Sequence, residues 1–161
     1  IFMEETLEKR IERIKKLARE YYSLEKGVLI EKHTELLKIF DIKGFDTVDK
    51  HPHKDKRVCI SRKAIKHFVE RRKAELEKNH TTEEVLRKVD FALNEIPNIV
   101  LHYDLYTRER EKSENEKEKH FYTKNYSHQG EPSIRILFDE RGDTLEVRSL
   151  HFTKNKNTTE R

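Results

Sequence analysis

Met3, Leu7, Ile11, Ile14, Leu17, Ala18 and Tyr21 recur at intervals of three and four, with charged residues on the other faces. That spacing predicts an amphipathic helix from Glu4 to about Glu25, stopped by Gly27. Leu29, His33, Leu36, Leu37 and Phe40 continue a helical stripe and predict a second helix from Val28 to Phe40. The pair reads as a helical hairpin over residues 1–43, an arm suited to holding a partner or a second copy of the chain. Residues 44–56 break the pattern with Gly44-Phe45-Asp46 and His51-Pro52-His53 among lysines and aspartates, and read as a linker.

The main domain is expected over 57–153. Arg57–Ile60 reads as a short strand, and the Ser61 hydroxyl suits a helix N-cap, with the helix running to about Asn79. Thr81 with Glu84 three residues on forms a capping box for a further helix, which carries Val85, Leu86, Val89, Leu93 and Ile96 on one side and stops at Pro97. The period then changes toward two. Ile99–Tyr103, His120–Tyr126, Ser133–Phe138 and Thr144–Phe152 read as strands, with the charged stretch Tyr106–Glu118 as a solvated loop and Gly142 as a turn residue. The class expected is α+β: an N-terminal helical hairpin, then two helices packed on a four-stranded antiparallel β-meander. Residues 154–161 read as a flexible tail.

Composition sharpens this picture in three places. Charged residues make up 41% of the chain and apolar ones 34%, yet 35 basic side chains nearly cancel 31 acidic ones, so the distribution of charge says more than its sum. The last fourteen residues are locally basic, with Arg148, His151, Lys154, Lys156 and Arg161 against Glu160. A single cysteine, Cys59, cannot close an internal disulfide; it reads as a buried inert thiol in a protein of a reducing compartment, expected to be cytoplasmic. No apolar run has the length to span a membrane.

Four groups of residues have chemistry to offer. On the helix after Ser61, Arg72 interrupts the apolar stripe of Ile65, Val69 and Leu76, so it must snorkel, pair or bind an anion; Arg71 and His67 lie further round. His120, Tyr122, Lys124 and Tyr126 alternate onto one strand face, which suits either an amphipathic strand or a platform for single-stranded RNA. On the last strand Ser149, His151 and Thr153 share one face, and His151 titrates near neutrality. His51 and His53, with Asp49 or Asp55, are spaced for a metal, but a flexible charged linker is the better reading because no rigid third ligand is evident. CxxC pairs, HExxH, a P-loop, a dinucleotide-binding glycine pattern and a GxSxG elbow are all absent from the sequence, which argues against zinc proteolysis, nucleotide hydrolysis and redox chemistry.

Residues 59–152 resemble the phage and polymorphic-toxin nucleases grouped as barnase–EndoU–colicin–RelE-like (BECR). The residues that carry the resemblance are Ile60-Ser61-Arg62-Lys63-Ala64-Ile65-Lys66-His67-Phe68, then Ile96-Pro97-Asn98-Ile99-Val100, then the run of strands. The resemblance implies a metal-independent RNase without a cofactor, acting through 2′-hydroxyl transesterification. It implies His67 as an active-site histidine beside Arg71 or Arg72, with His151 and Thr153 completing the cleft. Catalysis is accordingly expected from His67, His151 and Arg72. Substrate binding is expected from Arg71, Tyr122, Lys124, Tyr126, Arg148 and Thr153, with no metal ligand. The partners expected are RNA, an immunity or antitoxin protein, and a second copy through the N-terminal helices. The alternatives are a non-catalytic RNA- or protein-binding module of a mobile element, and a BECR-like domain that has lost catalysis.

Overall fold

The computed structural model describes residues 5–45, 50–110 and 118–153. The expected tail at 154–161 lies outside them, as does Asp49. Helix α1 spans Leu7–Tyr22; the Thr6 hydroxyl accepts from the Lys9 amide at 3.2 Å and starts it. Its apolar stripe, Ile11, Ile14, Leu17, Ala18 and Tyr21, is buried in the same hydrophobic cluster as the sheet residues Ile60, Ile136 and Val147. Helix α1 is therefore part of the core and not a detached arm.

The second half of the expected hairpin is not a helix. Lys32 takes a left-handed backbone (φ 54°), which interrupts any helical continuation, and strand β1 forms over Leu36–Asp41. The short apolar run Leu36-Leu37-Lys38-Ile39-Phe40 is ambiguous by periodicity, and pairing decides it. β1 lies antiparallel to β2 (Arg57–Ser61), with Leu37 opposite Ile60 and Phe40 opposite Val58.

Helix α2 (Arg62–Leu76) follows β2 directly, with Ser61 Oγ accepting from the Ala64 amide at 3.0 Å. The carbonyls of His33 and Glu35 accept from the Lys63 and Arg62 amides, so the loop before β1 satisfies further donors of that first turn. Helix α3 (Thr82–Asn94) starts at its Thr81 cap as expected. A short helix α4 covers Ile96–Leu101, where a strand was expected from Ile99. Pro97 stands at its start, where a fixed φ favours a helical turn, and Ile96, Ile99 and Val100 bury one side of that turn.

Strand β3 is Leu105–Arg110, within the stretch expected to be a loop; β4 is Glu118–Lys124, β5 Ser133–Arg141 and β6 Thr144–Thr153. These four make an antiparallel meander, but its first strand is β3 and not the expected Ile99–Tyr103. The sheet is larger than expected, with six strands among the described residues in the order β1-β2-β6-β5-β4-β3. β2 joins it through a parallel pairing with β6, Val58 beside Leu145 and Ile60 beside Val147. A bulge near Arg148 shifts the β5–β6 register while keeping Val147 and Leu150 in the core. On the core face stand Tyr122, Ile134, Ile136 and Phe138; Arg135, Ser149, His151 and Thr153 point to the other face.

Candidate functional sites on the two faces of the sheet

The pairing of β2 with β6 ends at Ile60–Val147, and α2 flanks β6 beyond that point. The Arg72 guanidinium sits 5.3 Å from the Phe152 ring and 5.8 Å from that of Phe68. It is buried, with Nη2 2.8 Å from Glu75 and Nε lacking a hydrogen-bond partner. Of the three behaviours open to an arginine in an apolar stripe, pairing, here beneath aromatic rings, is the one adopted. Arg71, next in the chain, is exposed.

His151 lies on the sheet face turned from the core, opposite Arg135 in the β5–β6 ladder, with Nε2 2.9 Å from Ser149 Oγ. Partial burial lowers its pKa, and the charges of Arg71, Arg72 and Arg135 lower it further against an opposing pull from Glu75. His67 is exposed on α2 beside a groove lined by Gly27–Ile30, His33, Lys63, Lys66 and Glu70. Its pKa is also lowered, first by desolvation and then by Arg71. Arg71 and Arg72 thus act electrostatically on both histidines.

The remaining expected substrate contacts scatter. Tyr122 and Tyr126 are fully buried and form no platform for bases. The Tyr126 hydroxyl donates to Glu95 Oε1 at 2.8 Å, tying β4's exit to the α3–α4 junction. Lys124 Nζ donates to the His102 carbonyl at 2.7 Å, Arg148 reaches Asp139 at 3.4 Å, and Thr153 Oγ1 lies 3.5 Å from the Ser133 carbonyl. The Cys59 thiol is buried and its pKa is raised by that burial, as suits an inert cysteine.

The core face carries a cluster that the sequence reading missed. His51 and His53, expected in a flexible linker, are 7% and 4% exposed. The Val100 carbonyl takes a hydrogen bond from His51 Nε2 at 2.8 Å, while His51 Nδ1 accepts from the His53 amide at 3.0 Å. These two bonds fix the tautomer of His51 and fasten the segment to the end of α4. His53 then meets His120 of β4 edge to face, ring centroids 4.3 Å apart. His53 Nδ1 is hydrogen-bonded to Tyr122 Oη at 2.6 Å, and His120 Nδ1 to Tyr106 Oη at 2.7 Å. Both Nε2 atoms face Glu140 of β5, that of His120 at 3.3 Å from Oε1 and that of His53 at 3.8 Å.

Burial is the main force on the His53 pKa, with the charge of His120 next, and together they push it down to about 4. Burial also keeps Tyr106 and Tyr122 in their phenol forms. For Glu140, burial opposes ionisation, but the Lys56 ammonium 2.9 Å from Oε2 and the adjacent rings bring it below the ordinary carboxylate value. Of the His51/His53 pair only His53 has further candidate donors beside it, His120 and Glu140 on strands far along the chain, while both His51 nitrogens are taken by Val100 and the His53 amide. The available sequence signal was the alternation that sets His120 and Tyr122 on one face.

Among the described residues, no helix is long and apolar enough to cross a membrane. No family model, no curated protein and no solved structure matches this chain.

Proposed function

We propose that the chain is a metal-independent endoribonuclease of the BECR toxin type, working where α2 meets the far half of β6. The observation that carries this reading is placement: α2 packs beside β6 and sets the Arg72 guanidinium 5.3 Å from the ring of Phe152, the residue after His151, with Arg71 next in the chain and His67 one turn earlier on the same helix. Arg71, exposed, is the phosphate ligand; its planar fork matches two non-bridging oxygens. Arg72, packed under Phe68 and Phe152, positions Phe152 and so the neighbouring His151.

His151, held neutral near pH 7, takes the proton of a ribose 2′-hydroxyl. The 2′-oxygen bonds to phosphorus, the bond to the 5′-oxygen breaks, and His67 protonates the departing oxygen. The products are a 2′,3′-cyclic phosphate and a 5′-hydroxyl end. Phosphate binding neutralises Arg71, which relieves its depression of both histidine pKa values and favours the acid form that His67 needs. Such an enzyme works in the cytoplasm and needs an immunity or antitoxin partner in the cell that makes it.

The test is incubation of the protein with total RNA and tRNA in EDTA, followed by end-group analysis. Cleavage should leave cyclic phosphates and fall by at least about 100-fold in His151→Ala and in Arg71→Ala. Salt-sensitive RNA binding without cleavage would support the binding-module alternative instead. Cleavage unchanged in both variants would discard the site.

A further inference from the structure

We infer that His53, His120 and Glu140 form a binding site for one divalent transition-metal ion, with zinc the best match. The inference concerns the 50–56 segment with β4 and β5 and is independent of the RNase reading, which concerns α2 and the end of β6.

Geometry comes first. One donor atom from each of the three residues lies within 4.8 Å of the other two. Tetrahedral zinc with bonds of about 2.1 Å sets its ligands about 3.4 Å apart. The two separations to Glu140 Oε1, 3.3 and 3.8 Å, bracket that value. Small side-chain rotations close the rest.

The donors are also in a suitable state. His120 Nε2 is buried, faces the cluster and has no hydrogen-bond partner. A buried nitrogen left in that condition costs about 1–3 kcal/mol, which coordination would remove. Each ring's Nδ1 faces a tyrosine hydroxyl that can accept its proton and leave Nε2 free to ligate, the outer-shell contact that ligating histidines ordinarily have. Lys56 holds Oε2 of Glu140 and leaves Oε1 turned to the rings. Two imidazoles and one carboxylate are borderline donors, which favours zinc and its neighbours over magnesium or calcium.

Access fits an ion and not a polymer. Both histidines are nearly sealed, whereas the Glu140 side chain is 34% exposed and that of Lys56 22%. A hydrated cation can enter on that side, and a water can complete its coordination there. An RNA strand cannot reach the rings, so a nuclease active site does not belong here. The two histidines of the His51-Pro52-His53 segment divide the work, His51 anchoring the segment and His53 ligating.

The experiment is titration of EDTA-stripped protein with Zn2+ by calorimetry and with Co2+ by visible absorption, paired with thermal unfolding. Wild type should take up one equivalent, show the intense bands of tetrahedral Co2+, and gain thermal stability. Glu140→Gln and His120→Ala should each weaken zinc by at least about 100-fold, and Tyr106→Phe by about 10-fold. His128→Ala, at an exposed histidine outside the cluster, should bind like wild type. Glu140→Gln is isosteric and partly exposed, so it reports even if His120→Ala fails to fold. No uptake by wild type, or full uptake by Glu140→Gln, would overturn the site. EDTA-resistant RNA cleavage bears on the α2–β6 site only, so the two proposals fail separately.

Discussion

Tyr122 Oη and His53 Nδ1 lie 2.6 Å apart inside the protein, joining a central strand to the segment that crosses over it. Both side chains are almost sealed from water, so this polar contact has no solvent to replace it. Tyr122→Phe keeps the ring and deletes the hydroxyl. We expect it to cost about 1–3 kcal/mol, read as a lower urea midpoint with an unchanged slope. A variant as stable as wild type would show that the bond contributes nothing.

The low pKa of His53 makes stability depend on acid. In the unfolded chain the ring takes up a proton near its ordinary value of 6.5, while in the folded protein it does so at about 4. Between those values the unfolded state binds more protons, so stability falls as pH drops from 6.5 toward 4. The loss approaches about 3 kcal/mol at most. The groups that set this shift are His120 and Glu140 on the strands and His51 and Lys56 on the same segment. Urea unfolding of wild type and His53→Asn in EDTA across that window tests it, since the variant should show a shallower slope. Parallel curves would remove His53 from the account.

Arg72 and Arg71 should separate structure from catalysis. Arg72 is buried with an unsatisfied Nε, and its partner Glu75 is half exposed. Arg72→Met fills similar volume without the charge and should be neutral or slightly stabilising. Arg72→Ala should cost about 2–4 kcal/mol through lost packing on Phe68 and Phe152. Arg71→Ala should leave stability within about 0.5 kcal/mol and abolish most RNA cleavage. Thermal melts and cleavage rates of the three variants give the pattern; a large loss of stability in Arg71→Ala would contradict it.

The two hydroxyl caps are separate and should add. Ser61→Ala and Thr81→Ala each remove one acceptor from a first-turn amide, Ala64 and Glu84 respectively. Each should cost about 1 kcal/mol, and the double variant about 2. A double variant no worse than either single one would mean that the caps are not independent.

Much of the fold was readable from local pattern. α1 showed as a long stripe, α2 and α3 as hydroxyl caps before apolar periodicity, and β5–β6 as two strands around Gly142. Each of these signals lies within a few residues. β1 was not readable, because five residues around Leu37 and Ile39 fit either period and only the β2 partner chooses. At α4 the β-branched Ile99 and Val100 favour a strand, while Pro97 at the first turn favours the helix that forms. The cluster was hidden for a different reason. His53 is followed by its partners only on β4 and β5, and no local spacing reveals that a parallel β2–β6 pair and a folded-over segment bring them together. The same separation explains Tyr122, whose alternating neighbours suited a surface strand until the 50–56 segment covered it.

β6 is the only ladder between the β1–β2 hairpin and the β3–β5 meander among the described residues. During synthesis the two groups of strands therefore have no backbone ladder between them until β6 appears, and the sheet closes with that strand. His151 lies on that same strand. A nascent chain has no finished sheet, and no ordered setting for His151, until β6 has emerged and paired on both sides.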